Sequence, residues 1–313
     1  MEKFLFIQGT PPAGFALTFP GSLFNTAAHR HLQSGSNWIS FYILNEGSRK
    51  IESFFHVHVN GTSAESPYRA PFGSIEFSET LPPVILFDFI GFIDRSLLHD
   101  GVREVKIKMP PLAYSPTAIS CLKDALAKQR YQVVLAEVGS VIYVRDVDFR
   151  YIIKDSERHV LNQYDKKDFV CTRLPIDNLE RVYDFISKHQ VLKGYAMSMA
   201  LDELRNTVQV FKDDFFLFVV LDHQKIIAAS VSIKVMDHVL YNFYLAHDAA
   251  YNKYSPAIAI IEALYNFCKE NSMSILDLGT SMLNDKPNIP LLNFKQRMGG
   301  VVTEKLTLYK KLA

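Results

Sequence analysis

An order of predicted elements that occurs twice is the feature that most constrains how this chain can fold. Each half contains a hairpin of two apolar strands joined by a polar turn, over residues 38–59 and 215–234. A third strand follows each hairpin, and then a helix that begins at a proline, Pro83 or Pro256. Each helix runs into a strand, a further helix and a closing strand. The repeat lies in element order, not residue identity, and it favours duplication over a chance likeness of α+β patterns.

Chain length and charge distribution agree with two domains. The chain has 313 residues, whereas a typical domain has about 100–200. The segment from Arg145 to Arg173 is much richer in charged residues than the chain average of 21%. We therefore predict a solvated connecting helix over Asp155–Tyr164 and a division into domains 1–150 and 151–313. Each domain is expected to be a mixed, mostly antiparallel sheet flanked by helices.

Composition excludes several classes of protein. Basic and acidic residues number 34 and 33, so neither DNA nor other nucleic acid is expected to bind through bulk charge. The longest apolar run, Leu81–Ile93, includes Asp88 and is shorter than the ~20 residues of a membrane span. The N-terminal apolar stretch is too short for a secretory signal. The three widely spaced cysteines form no CxxC pair, which indicates reduced thiols. We predict a soluble cytoplasmic protein.

The sequence lacks the common nucleotide and hydrolase motifs and contains one weak metal motif. GxGxxG, GxxxxGK[ST], GxSxG and HExxH patterns do not occur. His56 and His58 are two apart on a predicted strand, share a face, and would be compatible with zinc if a carboxylate joined them. Alternatively, Phe55 and Val57 face the core and the two histidines face solvent. We favour that second interpretation and predict no metal site.

The last seventy residues hold the most informative pattern. A strand over 240–247 precedes a helix that begins at Ser255, and a second strand ends at Asp277 and Gly279. Strand, helix N-terminus and strand in this order direct backbone N–H groups towards an anion or a thioester oxygen. Lys295 and Arg297 lie in the last turn of a short helix, where they would also stabilise its dipole. Function and stability therefore both remain open for Lys295.

Four segments of this region carry a resemblance to a known family: YNFYLAHD (241–248), YSPAIAIIEALYNFCKENS (254–272), ILDLGTS (275–281) and NFKQRMGG (293–300). Together with the repeated element order, they resemble tandem GNAT acyltransferases, in particular the FemAB-like and related acetyltransferase families. The resemblance implies transfer of an acyl or aminoacyl group to an amine. The donor would be acetyl-CoA or another acyl-CoA, or an aminoacyl-tRNA, and no metal is implied.

The resemblance also implies roles for particular residues. Lys295 would be the electrostatic contact, and Tyr244 or Tyr254 the proton donor. The remaining residues fall into a donor-binding platform (Leu245, Ala246, His247, Ser255, Ala257) and a substrate pocket (Asp277, Ser281, Arg297).

Two departures from the family pattern limit this interpretation. Residues 250–257 contain no glycine where simple GNAT enzymes bind the coenzyme A pyrophosphate. Lys295 stands four residues before Gly299, where simple members often have a tyrosine. The balanced charge disfavours aminoacyl-tRNA, so a small-molecule acyl donor and an amine acceptor are predicted. The alternatives are a non-catalytic GNAT-like binding module and an aminoacyl-tRNA-dependent Fem-type transferase that acts on a cell-wall precursor.

Overall fold

The computed structural model describes residues 3–192 and 194–313, and the chain divides into two compact units. Unit 1 comprises Met1–Glu137 and Glu304–Ala313, and unit 2 comprises Val138–Thr303. The chain thus changes unit at residue 138 and returns at 304, whereas the sequence prediction divides it at 150. Both units are α+β, with mostly antiparallel strands flanked by helices, which confirms the predicted fold class.

Unit 1 consists of a sheet with two long helices on one face. Its strands follow the order β1-β3-β4-β5-β7-β16, and the short strands β2 and β6 also pair with β4. The elements are β1 (Phe4–Gln8), β2 (Ala16–Leu17), α1 (Ala27–Gln33), β3 (Trp38–Asn45), β4 (Lys50–Asn60), β5 (Ser63–Ser66), β6 (Glu76–Phe77), α2 (Pro83–His99), β7 (Glu104–Lys108), α3 (Pro116–Lys128), the start of β8 (Gln132–Tyr143) and most of β16 (Val301–Lys311). A 3-10 turn at Leu23–Asn25 precedes α1.

The apolar run predicted as a buried helix forms α2, the centre of the unit 1 core. Leu86, Phe89, Ile93 and Leu97 recur at helical spacing and are buried. They pack with the inward side chains of β3 and β4, among them Phe41. This core occupies one face of the sheet and leaves the opposite face of β3 and β4 for polar side chains.

On the opposite face of β4, the prediction that His56 and His58 face solvent is wrong. His56 and His58 were expected to face solvent, but only 4% and 5% of their surfaces are exposed. They do lie on the face opposite Phe55 and Val57, as predicted. Tyr68 lies on that face and stacks on His58 with ring centroids 4.0 Å apart. The end of α1 also lies there, because Trp38, which is opposite His58, donates from Nε1 to the Ser34 carbonyl at 2.9 Å.

In unit 2 the strands are hydrogen-bonded in the order β8-β13-β12-β11-β10-β9. Its elements after β8 are α4 (Phe149–Ile152), α5 (Asp155–Tyr164), β9 (Phe169–Leu174), α6 (Leu179–Val191), α7 (Leu201–Val210), β10 (Phe215–Asp222), β11 (Lys225–Met236), β12 (Val239–His247), α8 (Pro256–Glu270), β13 (Ile275–Thr280), β14 (Met282–Leu283), β15 (Lys286–Pro287), α9 (Ile289–Arg297) and the start of β16. Helix α8 supplies Ile258, Ile261 and Leu264 to the core of this unit.

Two local features of β12 open the unit 2 sheet. β12 pairs in parallel with β13 only from Val239 to Tyr241, opposite residues 275–277. On its other edge, the register with β11 shifts so that Phe243 is an extra, bulged residue. A bulge bends the strand that carries it. Residues 242–247 therefore continue along β11 while β13 no longer pairs with them.

Candidate functional site

The gap between β12 and the end of β13 encloses a cavity of about 210 Å³. Five of the lining side chains are apolar and four carry a polar group, one of them a tyrosine; the tenth lining residue is Gly279. The lining residues are Tyr241, Asn242, Phe243 and Leu245 of β12, Ile261 of α8, Leu278, Gly279 and Thr280 of β13, and Leu291 and Lys295 of α9. The pocket combines apolar contacts with fixed polar groups, and a concave site of this mixed kind can hold a small molecule.

The end of β13 is irregular because a carboxylate binds its own backbone. Asp277 is buried, and its Oδ1 accepts a hydrogen bond of 2.7 Å from the backbone N–H of Gly279. Gly279 has φ +77°, a conformation that favours glycine. The pairing with β8 shifts register between Asp277 and Thr280. As a result, the carbonyl groups of Gly279 and Thr280 leave the regular sheet and turn to a side chain of α9.

That side chain is Lys295, which is buried with 6% of its surface exposed. Its Nζ donates to the carbonyl oxygens of Gly279 and Thr280, each 2.8 Å away. Burial lowers the pKa of Lys295 from 10.5 to about 8, while Asp277 acts in the opposite direction. An ammonium group has three protons, and the described residues provide acceptors for two of them.

A buried polar network approaches the cavity from β11. The Ser230 hydroxyl donates to Asn242 Oδ1 at 2.7 Å and lies 3.0 Å from the Ser232 hydroxyl. All three side chains are buried. Fixing the amide oxygen in this way leaves the two Nδ2 protons of Asn242 for a partner at the cavity wall. Further along β12, the strand of Asn242, the carbonyl of Leu245 accepts a hydrogen bond of 3.3 Å from Gln190 of α6.

The two predicted proton donors lie apart from this cavity wall. The Tyr244 hydroxyl is 2.6 Å from Ser198 Oγ and accepts from the backbone N–H of Met199 at 3.1 Å. Burial raises its pKa. Tyr254 lies in the 3-10 turn before α8, where Lys253 and then Lys167 lower the pKa of its hydroxyl. Neither tyrosine is among the cavity-lining residues, so their proton-donor roles remain predictions.

The predicted donor-binding platform is only partly at the cavity. Leu245 lines it, whereas Ala246 and Ala257 are buried in the packing of the sheet and α8. His247 Nε2 is 2.9 Å from Asn252 Oδ1. Ser255 precedes α8 with φ 41° and makes no side-chain capping bond. In the turn before Ser255, Asp248 accepts from the backbone N–H of Ala250 at 3.0 Å.

The remaining predicted pocket residues hold the surrounding backbone. Ser281 is fully buried; its N–H donates to the Val138 carbonyl at 2.7 Å and its carbonyl accepts from Asn288. Arg297 donates from Nε to Glu157 on α5, and its carbonyl accepts from Lys154. Arg297 therefore ties α9 to the connecting helix rather than lining the cavity, and the pocket roles of both residues stay predictions.

Asn242, Ser230 and Gln190 did not emerge from the sequence analysis. A signal for the first two is present, because Asn242 interrupts an apolar strand and Ser230 and Ser232 share one face of the preceding strand. Buried polar side chains in adjacent strands must satisfy one another. No comparable signal exists for Gln190, whose partner is a backbone carbonyl.

Among the residues that the structure describes, no group of three or more His, Cys, Asp or Glu side chains could hold a metal ion. The described helices also include none that is both long and apolar enough to cross a membrane.

Comparison with known proteins gives matches at two levels. Residues 148–287 match the family described as "Acetyltransferase (GNAT) domain". No match to the chain was found among curated protein sequences. The crystal structure of FemX is similar with a TM-score of 0.69 and 11% identity, over 94% of this chain and 93% of that one.

Two further solved structures have related folds. One is the C-terminal domain of a lysylphosphatidylglycerol synthetase from Agrobacterium fabrum, with 12% identity, TM-score 0.55 and coverage of 91% and 87%. The other is a tandem GNAT protein from the clavulanic acid biosynthesis pathway, with 7% identity, TM-score 0.50 and coverage of 88% and 83%. At these identities the similarity establishes the fold. Residues 148–287 are therefore similar to a GNAT domain, and the chain as a whole shares its fold with FemX.

Proposed function

We propose that this protein transfers an acyl group from an acyl-CoA to an amine acceptor, with the reacting carbonyl in the cavity between β12 and β13. The observation that carries the proposal is the combination of a GNAT domain with a pocket whose walls are the separated edges of these strands. Where the strands are apart, Gln190 donates to the carbonyl of Leu245 on β12. Lys295 donates to the carbonyls of Gly279 and Thr280 on β13. The gap is thus maintained by specific side chains.

The lining favours a neutral acyl group larger than acetyl. The pocket volume of about 210 Å³ is larger than an acetyl group of three heavy atoms requires. Phe243, Ile261 and Leu278 offer apolar contacts to an alkyl chain. Lys295 has a pKa of about 8 and is mainly charged at neutral pH. A buried cation at the wall would repel the ammonium group of an aminoacyl donor.

The proposed reaction uses a neutral amine as nucleophile. Its lone pair forms a C–N bond at the thioester carbonyl, and the carbonyl π electrons move onto oxygen. Collapse of this intermediate breaks the C–S bond, and the proton lost by nitrogen ends on the departing thiol. The uncommitted Lys295 proton and the Nδ2 protons of Asn242 would stabilise the oxyanion, since preorganised donors are most effective in a site shielded from water.

A second candidate, aminoacyl-tRNA-dependent transfer of the Fem type, is favoured by the turn before α8. Asp248 occupies the N–H of Ala250, and Pro256 has no N–H, so few backbone donors remain for a pyrophosphate. Instead, the ammonium groups of Lys253 and Lys167 lie 4.8 and 5.4 Å from the centre of the Tyr254 ring. Exposed lysines beside an aromatic ring suit the phosphates and bases of RNA.

The test is a donor panel. Acetyl-, butyryl- and hexanoyl-CoA are mixed with amine acceptors while thiol release and calorimetric binding are measured, and aminoacyl-tRNA is assayed in parallel. We expect saturable thiol release that is faster with the longer chains and falls about 100-fold in Lys295→Met. Lys286→Met, an exposed lysine of the same unit, is the control. Turnover with aminoacyl-tRNA alone would select the second candidate, and absence of donor binding across the panel would favour a non-catalytic module.

A further inference from the structure

The covered polar face of β3 and β4 in unit 1 holds a group of side chains that the proposed acyl transfer does not use. Ser40 and Tyr42 of β3 lie on this face, and the register places Ser40 opposite His56. Arg30 of α1 lies nearby, because its Nη1 donates to the Asn25 carbonyl and the Asn25 amide donates to Glu76. Glu76 lies opposite Phe54 of β4, whose ring stacks on His56. We call Arg30, Ser40, Tyr42 and His56 the Arg30 cluster. It lies outside residues 148–287 and does not depend on the acyl-transfer proposal.

Arg30 is a half-buried cation without an anionic partner. Its Nη1 donates to the Asn25 carbonyl at 2.5 Å, and within the described ranges no carboxylate lies at ion-pair distance from its guanidinium. Burial lowers its pKa. The partly exposed Glu76 already accepts hydrogen bonds from the backbone and side chain of Ser22 and from the Asn25 amide. A guanidinium has five N–H donors, so most of those of Arg30 remain for a ligand.

The neighbours of Arg30 are donors rather than anions. His56 Nδ1 is 2.8 Å from Ser40 Oγ, and burial, followed by the charge of Arg30, lowers the histidine pKa well below its usual value. His56 is therefore neutral at pH 7, and its second ring nitrogen carries or accepts one proton. The Tyr42 hydroxyl has no hydrogen-bond partner among the described residues. Arg30, Ser40 and Tyr42 are all partly exposed, whereas His56 is buried.

This arrangement leads to a specific ligand class. Partial removal of a cation from water is unfavourable unless a counter-charge is supplied. No protein group supplies it for Arg30 in the described part of unit 1. A planar guanidinium matches the two oxygens of a carboxylate or phosphoryl group in a bidentate pair. We propose that the Arg30 cluster binds the oxyanion of a ligand, held by the Arg30 guanidinium with Tyr42 and the imidazole of His56 beside it.

Trp38 makes this proposal measurable. It is the only tryptophan of the chain. It lies on β3 two residues before Ser40, opposite His58, with their rings 5.4 Å apart. Titration of the full-length protein with methyl phosphate or acetate, at constant ionic strength set by sodium chloride, is followed by tryptophan fluorescence. We expect a saturable change at millimolar probe that weakens at least 10-fold in Arg30→Gln. Chloride alone should cause no such change.

The control variants separate binding from folding. Arg30→Gln removes the charge but keeps an N–H donor for the Asn25 carbonyl. Arg49→Gln alters an exposed arginine that lies over Phe15 in the same unit, and it should bind like the wild type. Tyr42→Phe should weaken binding several-fold with an unchanged circular dichroism spectrum.

The pattern of response also identifies the oxyanion. Saturation with methyl phosphate alone indicates a phosphoryl ligand, with acetate alone a carboxylate ligand, and with both a site for either. A wild-type response to neither probe, or equal responses in the wild type and Arg30→Gln, would overturn the proposal.

Discussion

Lys295 in unit 2 and Arg30 in unit 1 are both cations held partly or wholly away from water, but their neighbours differ. Lys295 donates to two backbone carbonyls and feels the charge of Asp277. Arg30 donates to one carbonyl and has no carboxylate partner in the described ranges. Backbone carbonyls accept from two of the three N–H donors of Lys295, whereas only one carbonyl accepts from the five N–H donors of Arg30. Removal of Lys295 should therefore leave the carbonyls of Gly279 and Thr280 without their donor, and removal of Arg30 should mainly disturb binding.

Lys310 provides the reference for this comparison because it is a buried cation with a complete counter-charge. Its Nζ lies 2.5 Å from Asp94 Oδ2, and the Tyr131 hydroxyl donates to Asp94 Oδ1 at 2.7 Å. Only 17% of the Lys310 side chain and 9% of the Asp94 side chain are exposed. The three cations thus form a series from fully paired to unpaired within the described structure.

The largest predicted effect is that of Asp94→Ala. The substitution leaves Lys310 charged and buried and removes the acceptor of Tyr131, so we expect a loss of about 3–5 kcal/mol of unfolding free energy. Urea unfolding at pH 7 measures it. The double variant Asp94→Ala, Lys310→Met should recover a large part of the loss. If Asp94→Ala alone lowers the unfolding free energy by less than about 1 kcal/mol, an unpaired cation destabilises this protein too little to support the argument for Arg30.

The sequence predicted the fold better than it predicted the polar clusters. Period-two strands, the proline-initiated helices α2 and α8 and the polar turns are local signals, and the structure contains all of them. The pairing of β16 with β7 is not local, because residues 307–311 lie opposite 104–108 across most of the chain. Nothing in the periodicity of β16 distinguishes that partner from one in the second half.

The candidate site in unit 2 was also predictable only where local sequence signals mark its residues. Lys295, Asp277 and Leu245 stand out by motif position, and the structure brings all three to the cavity or its wall. The alternation of β4 correctly separated the faces of Phe55 and His56, but it could not reveal that helix α1 covers the polar face. Burial of His56 arises from a helix that precedes the hairpin, and strand periodicity carries no information about that packing.

The second prediction, of intermediate size, concerns the pH dependence of stability that Lys295 causes. Its pKa is about 8 in the folded chain and 10.5 in the unfolded chain, so the unfolded state holds the proton more firmly between these values. The penalty for burying its charge is present below pH 8 and is lost as pH rises towards 10.5. The neutral amine keeps two N–H groups for Gly279 and Thr280.

The expected result is that wild type gains up to about 3 kcal/mol of unfolding free energy relative to Lys295→Met between pH 8 and pH 10.5. Urea unfolding of both proteins across this range measures the difference. Tyrosines and cysteines titrate in the same range, but they are common to both proteins and cancel. A difference that does not change with pH would mean that Lys295 is not buried as a charged group.

Arg30→Gln gives the smallest predicted effect on stability and the sharpest test of the comparison. The glutamine amide can replace the donor to the Asn25 carbonyl, and the half-buried charge disappears without leaving a carboxylate unpaired. We expect the unfolding free energy to change by no more than about 0.5 kcal/mol, or to rise. Methyl phosphate or acetate should raise the melting temperature of the wild type if either binds the folded state, and should leave that of Arg30→Gln unchanged. A loss above about 2 kcal/mol in Arg30→Gln would instead place Arg30 with Lys295 as part of the fold.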